Sequence, residues 1–141
     1  MTPDDERHLL HAVDLAVTAR ASGDAPFGSL LVSADGTVLA EERNTVLSDN
    51  DITAHPELKL ARWAAQHLAT ATAATTTMYT SCQPCEMCTG ALARSGLGRV
   101  VYALSNAQLA ELEPGGGFPP VPQEGPAAFE PARRAVEGYY T

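Results

Sequence analysis

The chain has 141 residues, of which 45% are hydrophobic and 18% are charged, and its formal net charge is −8. This length and composition predict one globular domain that buries a core without disulfide bonds, and they exclude a disordered chain. Phosphate neutralisation supplies most of the affinity of a nucleic-acid binder, so 9 lysines and arginines against 17 acidic residues disfavour a polynucleotide substrate.

The distribution of apolar residues predicts a cytoplasmic protein. No apolar run approaches the ~20 residues that a membrane-spanning helix needs. The first ten residues are acidic, whereas a secretory signal begins with basic residues and continues with an apolar run. We therefore expect no membrane association and reduced thiols. In that setting, three cysteines within seven positions indicate metal or redox chemistry and not a structural disulfide.

The first predicted element is an amphipathic helix that Thr2 and Pro3 open and Gly23 ends. Its apolar face is predicted to contain Leu9, Leu10, Val13, Ala16 and Val17. Residues 27–44 then predict two strands around a turn at 34–36, followed by a polar loop over 48–53. The next elements are predicted as a helix over 55–71, a strand over 75–81, a helix over 85–96 and a strand over 98–105.

This order of elements is typical of an α/β protein whose later strands are parallel across helical crossovers. Residues 106–113 predict a short helix, and 114–126 contain too many prolines and glycines for regular structure. A long loop in a small domain is often a lid or a binding segment, and we expect the same of the C-terminal tail. The tail at 132–141 is compatible with a last strand or a short helix. No repeat or boundary divides residues 1–141, which predicts a single domain.

The strongest chemical signal is a Pro-Cys-x-x-Cys sequence that ends at Cys88 and begins the third predicted helix. Cys85 and Cys88 can direct both sulfurs to one point, and His55 at the start of the preceding helix is the best candidate for a third ligand. One histidine and two thiolates with an open fourth position are typical of catalytic zinc, because structural sites have four protein ligands. Bound zinc lowers the pKa of water toward about 7. Glu57 is suitably placed to transfer the protons.

Other interpretations of the cysteines remain open at this stage. A Cys-x-x-Cys pair at a helix start also occurs in thioredoxin-like redox centres, which would leave the His-x-Glu pair without a role. An iron–sulfur site would need a fourth cysteine, which the chain lacks. Cys82 is expected to be a buried thiol outside the metal site, because one more cysteine ligand would block the open position. Surface or packing roles are expected for His8, His11 and His67.

His-x-Glu followed by Pro-Cys-x-x-Cys is the signature of zinc nucleobase deaminases. With "APFGSLLV", "NDITAHPE" and "MYTSCQPCEMCTGAL", it makes residues 9–105 resemble the cytidine deaminase superfamily. The likeness is greatest to the branch that contains guanine deaminases, fungal-type cytosine deaminases and tRNA adenosine deaminases. The resemblance implies a cytidine deaminase-like three-layer α-β-α sandwich with a mixed five-stranded sheet, and it implies a homodimer.

Carried over position by position, the resemblance implies that His55, Cys85 and Cys88 bind Zn²⁺ and that Glu57 is the catalytic proton shuttle. The implied reaction is the hydrolytic deamination of a free nucleobase or nucleoside, with release of ammonia. Guanine or a related purine is the leading substrate, cytosine or cytidine the second and tRNA adenosine the third. A catalytically silent member that acts as a partner subunit is the alternative outside enzymology, and the retained Glu57 argues against it.

Three further residues are implied in substrate binding. Asn44 matches a family asparagine that hydrogen-bonds the base, and Phe27 matches an apolar residue of the base pocket. Pro56 departs from the family, which usually has alanine or glycine there and often uses that residue's N–H to bind the substrate. Because proline has no N–H, a substrate acceptor facing it would be unpaired, at a cost of about 1–3 kcal/mol. We therefore expect either that the pocket recognises its base differently or that the substrate offers no acceptor at that point.

Overall fold

The computed structural model describes residues 1–140, which form seven helices and four strands. The helices are α1 (Pro3–Ala21), α2 (Val46–Asp49), α3 (Pro56–His67), α4 (Thr70–Ala74), α5 (Glu86–Ser95), α6 (Asn106–Leu112) and α7 (Phe129–Val136). The strands are β1 (Gly28–Val32), β2 (Val38–Arg43), β3 (Thr77–Cys82) and β4 (Arg99–Leu104). No helix in this range combines the length and apolar character of a bilayer-spanning segment.

The four strands form one mixed sheet in the order β2-β1-β3-β4. β1 is antiparallel to β2, which confirms the predicted hairpin, and it is also antiparallel to β3. β3 and β4 are parallel across α5, which confirms the predicted helical crossover. The predicted count of five strands is wrong for residues 1–140, which contain four.

The tail explains why the fifth strand is missing. Residues 132–136 of this tail, left open between strand and helix by the sequence, belong to α7, while Thr141 lies outside the described residues. Arg133 pairs with Glu130 and Glu137 at helical spacings of three and four residues, and such pairs stabilise a helix but not a strand. Residues 114–126 contain no helix or strand, as predicted, and residues 110–140 are exposed throughout.

The sheet lies between α1 on one face and α3 with α5 on the other, which confirms the three-layer arrangement. Successive strand residues alternate between the two cores, as the pleat requires. Leu30 and Tyr79 pack toward α1 with Leu9, whereas Leu31 and Met78 pack toward α3 and α5.

The face that α1 buries differs from the predicted one. A capping box between Thr2 and Asp5 opens the helix as expected, but Leu10, Val13 and Val17 are exposed. Leu9 and Ala16 are buried as predicted, and the other buried positions are Asp5, His8, Ala12 and Ala19. At Gly28, α1 approaches β1 so closely that a Cβ atom built on this glycine would lie 2.6 Å from the Ala12 carbonyl oxygen and 2.7 Å from the Ala16 nitrogen.

Two shorter predictions also need correction. The predicted loop over 48–53 overlaps the end of α2, and the helix predicted over 55–71 is divided into α3 and α4. Leu68 ends α3 in an extended conformation and packs on the core beside α3 and α5, so its burial directs the chain out of the helix.

Candidate active site

Two helix starts bring the three predicted metal ligands together. His55 is the N-cap of α3 and Cys85 is the N-cap of α5, both with extended backbone, and Cys88 lies in the first turn of α5. His55 Nδ1 is 3.6 Å from Cys85 Sγ and 3.4 Å from Cys88 Sγ. With ordinary zinc bond lengths, a tetrahedral site separates its nitrogen and sulfur ligands by about 3.6 Å. The donor set therefore fits zinc in both chemistry and spacing.

Local sequence explains this geometry. Pro56 is the first residue of α3, where its missing N–H costs no helical hydrogen bond, and it leaves His55 extended outside the helix. Neither His55 nor Cys85 caps its helix with a side-chain hydrogen bond, so both side chains are available to a metal. The positive ends of two helix dipoles meet at this point and favour negatively charged groups there.

The thiols and the imidazole already interact electrostatically. Hydrogen bonds with Cys88 and His55 lower the pKa of the exposed Cys85 thiol to about 3. The same contact with Cys85, together with burial, raises the pKa of Cys88 above its ordinary value. Hydrogen bonding to Cys85 raises the pKa of His55. These shifts favour the thiolate form of Cys85, and a bound cation would stabilise the deprotonated ligands further.

Glu57 lies beside this cluster in the first turn of α3 and is 5% exposed. Its Oε2 is 3.4 Å from Cys88 Sγ, which directs one carboxylate oxygen toward the ligands. Its Oε1 accepts a hydrogen bond of 2.8 Å from Thr80 and lies 3.3 Å from the hydroxyl of Ser29. A carboxylate in this position can exchange protons with a molecule bound near the ligands.

A small pocket of about 80 Å³ opens over these groups. It brings together Phe27, Asn44, His55, Pro56, Glu57, Cys82, Gln83, Cys85, Asn106 and Leu109. Cys88, which is fully buried, is the one sequence-predicted site residue outside this lining. Phe27, Asn44 and Pro56 therefore line the same pocket as His55, Glu57 and Cys85. Cys82 is buried as predicted, and burial raises the pKa of its thiol.

Sequence reasoning missed several neighbours of the site. Ser29 and Thr80 are polar residues inside apolar strands, and that interruption was the available signal. Gln83 accepts a hydrogen bond from the Asn106 backbone N–H, at 3.0 Å, and so joins the β3–α5 loop to the start of α6. Nothing in the sequence indicated that α6 would contribute Asn106 and Leu109 to the pocket, because that depends on how α6 packs.

Comparison with known proteins places the chain in a family. Residues 2–104 match the family model described as the cytidine and deoxycytidylate deaminase zinc-binding region. A guanine deaminase of Bacillus subtilis is 38% identical over 75% of this chain and 68% of its own length. An X-ray structure of guanine deaminase from Bacillus subtilis superposes with a TM-score of 0.68 at 36% identity, covering 80% of this chain and 71% of the other.

Relatives with other names have similar identities. A probable cytosine deaminase of Schizosaccharomyces pombe is 34% identical over 86% of this chain and 74% of its own length. A tRNA-specific adenosine deaminase of Haemophilus influenzae is 32% identical over 72% of this chain and 59% of its own length. A tRNA(Ile)-lysidine synthase of Deinococcus radiodurans is 34% identical over 93% of this chain, which spans 24% of that protein.

The match and the geometry agree on the cofactor. The matching region is zinc-binding by description, and His55, Cys85 and Cys88 are the group in residues 1–140 whose ligand atoms converge on one point. The predicted zinc cofactor and the predicted resemblance are therefore confirmed. The chain belongs to the zinc-binding cytidine and deoxycytidylate deaminase family, whose members are hydrolases that act on C–N bonds.

Proposed function

We propose that this chain is a catalytically active zinc-dependent deaminase of a free nucleobase or nucleoside. The observation that carries the proposal is the position of Glu57, which lines the pocket and directs Oε2 to within 3.4 Å of a metal-ligating sulfur. A silent relative has no need for a buried carboxylate at this point, where its desolvation is costly unless it is hydrogen-bonded. Glu57 is the catalytic residue in this account.

The reaction replaces an amino group on a heterocyclic ring with oxygen from water. When bound to His55, Cys85 and Cys88, zinc supplies an activated water at neutral pH. Glu57 would take a proton from the attacking water and give it to the ring nitrogen beside the amine-bearing carbon, while the water oxygen bonds to that carbon. A second proton transfer through Glu57 reaches the amine, which leaves as ammonia, and a carbonyl group remains on the ring.

Substrate recognition is assigned to the three other predicted residues. Asn44 is 2% exposed, and its Oδ1 accepts a hydrogen bond of 3.0 Å from the Val46 backbone N–H. This contact fixes the side-chain amide and leaves its NH₂ group to donate to a base. Phe27 supplies an apolar surface for the ring. Pro56 is fully buried and offers no N–H, so the base is expected to present no acceptor to it.

Guanine or a related purine is the leading substrate class. The similarity to a guanine deaminase in both sequence and structure supports this choice, and the net charge of −8 disfavours a polynucleotide. Cytosine or cytidine is the second candidate, because a relative named cytosine deaminase is 34% identical over more of the chain. Adenosine in tRNA is third. We also propose that the chain acts as a cytoplasmic homodimer and that residues 114–126 and the tail serve as a lid.

An ammonia-release screen over purine and pyrimidine bases and nucleosides tests this function. The zinc-loaded protein should release ammonia from at least one purine base, and Glu57→Gln should reduce the rate at least about 100-fold, as expected for loss of a general acid–base group. Glu6→Gln is a matched control, because Glu6 also lies in the first turn of a helix but is exposed. Zinc retention with no release from any compound would instead support the silent subunit.

A further inference from the structure

Two buried hydroxyl groups surround one oxygen of the Glu57 carboxylate. Ser29 and Thr80 are directly opposite each other in the antiparallel β1–β3 pair, and neither side chain is exposed to solvent. The Ser29 hydroxyl lies 2.7 Å from Thr80 Oγ1, and Thr80 Oγ1 lies 2.8 Å from Glu57 Oε1. The three groups therefore form a chain of short contacts that runs from the sheet interior to the pocket.

The number of hydroxyl hydrogens decides which group donates and which accepts in these contacts. Each hydroxyl carries one hydrogen to donate. Ser29 donates to Thr80 and Thr80 donates to Oε1, which uses both hydrogens in the two shortest contacts. A proton on Oε1 would point at Thr80, Thr80 would then have to donate to Ser29, and the Ser29 hydrogen would be left with the 3.3 Å contact to Oε1. That contact is long for an O–H···O hydrogen bond. The arrangement thus favours Oε1 as an acceptor.

We propose that Thr80, supported by Ser29, is a positioning residue that fixes the rotation of the Glu57 carboxylate and reserves Oε2 for proton transfer. The assignment rests on the proposed function, because it gives the shuttle a defined oxygen. Oε2 is the oxygen that faces Cys88 Sγ and hence the metal ligands. Without the Thr80 hydroxyl, the carboxylate can rotate about its last bond, and either oxygen can turn away from the substrate.

The kinetic test compares variants of nearly equal size. Thr80→Val removes the hydroxyl and should lower kcat by about 10- to 100-fold, as expected for loss of a hydrogen bond to a charged group. KM and bound zinc should change less than about twofold, because Thr80 reaches neither the substrate nor the metal. Thr80→Ser restores the hydroxyl and should recover kcat to within about threefold of the wild type. Ser29→Ala should have a smaller effect than Thr80→Val, because Ser29 acts mainly through Thr80.

Thr76→Val is the matched control. Thr76 is also fully buried, but its hydroxyl donates to the Thr72 carbonyl at 2.7 Å, away from Glu57. It should leave kcat unchanged. An equal loss of kcat in Thr76→Val and Thr80→Val, or no recovery in Thr80→Ser, would overturn the proposal and indicate a general disturbance of the fold.

A crystal structure of the zinc-loaded Thr80→Val protein gives a readout that does not depend on activity. The Glu57 carboxylate should be rotated or present in two conformers, whereas in Thr80→Ser it should keep Oε2 beside Cys88. An unchanged carboxylate in Thr80→Val would overturn the positioning role even if the wild type is an active deaminase. Inactivity of the wild type on every base and nucleoside would instead refute the proposed function, and the crystal structures would still decide whether Thr80 orients Glu57.

Discussion

Replacing Gly28 with alanine should separate α1 from the sheet. A Cβ atom built on Gly28 would lie 2.5 Å from Leu15 Cβ, 2.6 Å from the Ala12 carbonyl oxygen and 2.7 Å from the Ala16 nitrogen. Ordinary contacts between such atoms are about 3.5 Å, so the shortfall is about 1 Å. Two of the three atoms belong to the α1 backbone, and no change of side-chain rotamer can move them away.

The cost follows from this geometry. Overpacking a core costs about 1–3 kcal/mol, and a collision with backbone places Gly28→Ala at the upper end, about 3 kcal/mol. For a domain of this size, that corresponds to a fall in Tm of roughly 6–10 °C. Because Gly28 is flanked by Phe27 and Ser29, we also expect a measurable loss of deaminase activity in the folded variant.

Thermal unfolding of the zinc-loaded protein measures the loss of stability in Gly28→Ala. A second glycine offers a control in which alanine should raise the stability. Gly90 lies inside α5, and a Cβ atom there would meet nothing closer than an Arg94 side-chain nitrogen at 3.7 Å. Gly90→Ala should therefore stabilise the protein by about 0.5–1 kcal/mol, through the higher helix propensity of alanine. A Tm for Gly28→Ala within 2 °C of the wild type, which corresponds to less than about 1 kcal/mol, would refute the close approach of α1 to β1.

Three other predictions follow from buried groups. Burial and hydrogen-bond donation to Asp5 raise the pKa of Tyr79 to about 12. The contribution of Tyr79 to the free energy of unfolding is therefore complete below the ordinary pKa of about 10 and is lost as the pH rises toward 12. Urea unfolding should show a loss of about 2–3 kcal/mol over that range in the wild type and a flatter slope in Tyr79→Phe; parallel slopes would count against the buried Tyr79–Asp5 contact. Cys82→Ser should leave the zinc content at one ion per chain by atomic absorption, and a halved content would make Cys82 a ligand. Pro56→Ala restores an N–H in the pocket and should shift the ratio of kcat/KM between purine and pyrimidine substrates at constant zinc content, whereas an unaltered ratio would show that the missing N–H is irrelevant.

Local patterns were sufficient to locate the metal ligands. Cys85 and Cys88 are three residues apart at a helix start, and a proline after His55 leaves that residue outside its helix, so each half of the cluster is set by a few neighbouring residues. The predicted hairpin and the parallel crossover likewise depend on short turns and on the connection length. These features needed no knowledge of how distant parts of the chain pack.

Features that depend on distant contacts were not accessible in the same way. Periodicity assigned Leu10, Val13 and Val17 to the core, but α1 meets β1 at Gly28 through another face, and those three residues are exposed. The contact between Ser29 and Glu57 depends on the register that pairs Ser29 with Thr80, which no short-range pattern specifies. The position of α6 over the pocket is a packing result of the same kind.

The most direct test of the central claim is deamination of guanine in water enriched in oxygen-18, with ammonium and product mass measured together. The zinc-loaded wild type should release one ammonium for each product molecule, and each product should carry one solvent oxygen at the carbon that lost its amine. Glu57→Gln should do neither at a comparable rate. Failure to release ammonium from guanine and from every other base and nucleoside, or a product without the solvent label, would contradict the assignment of His55, Cys85, Cys88 and Glu57 to a hydrolytic deaminase site.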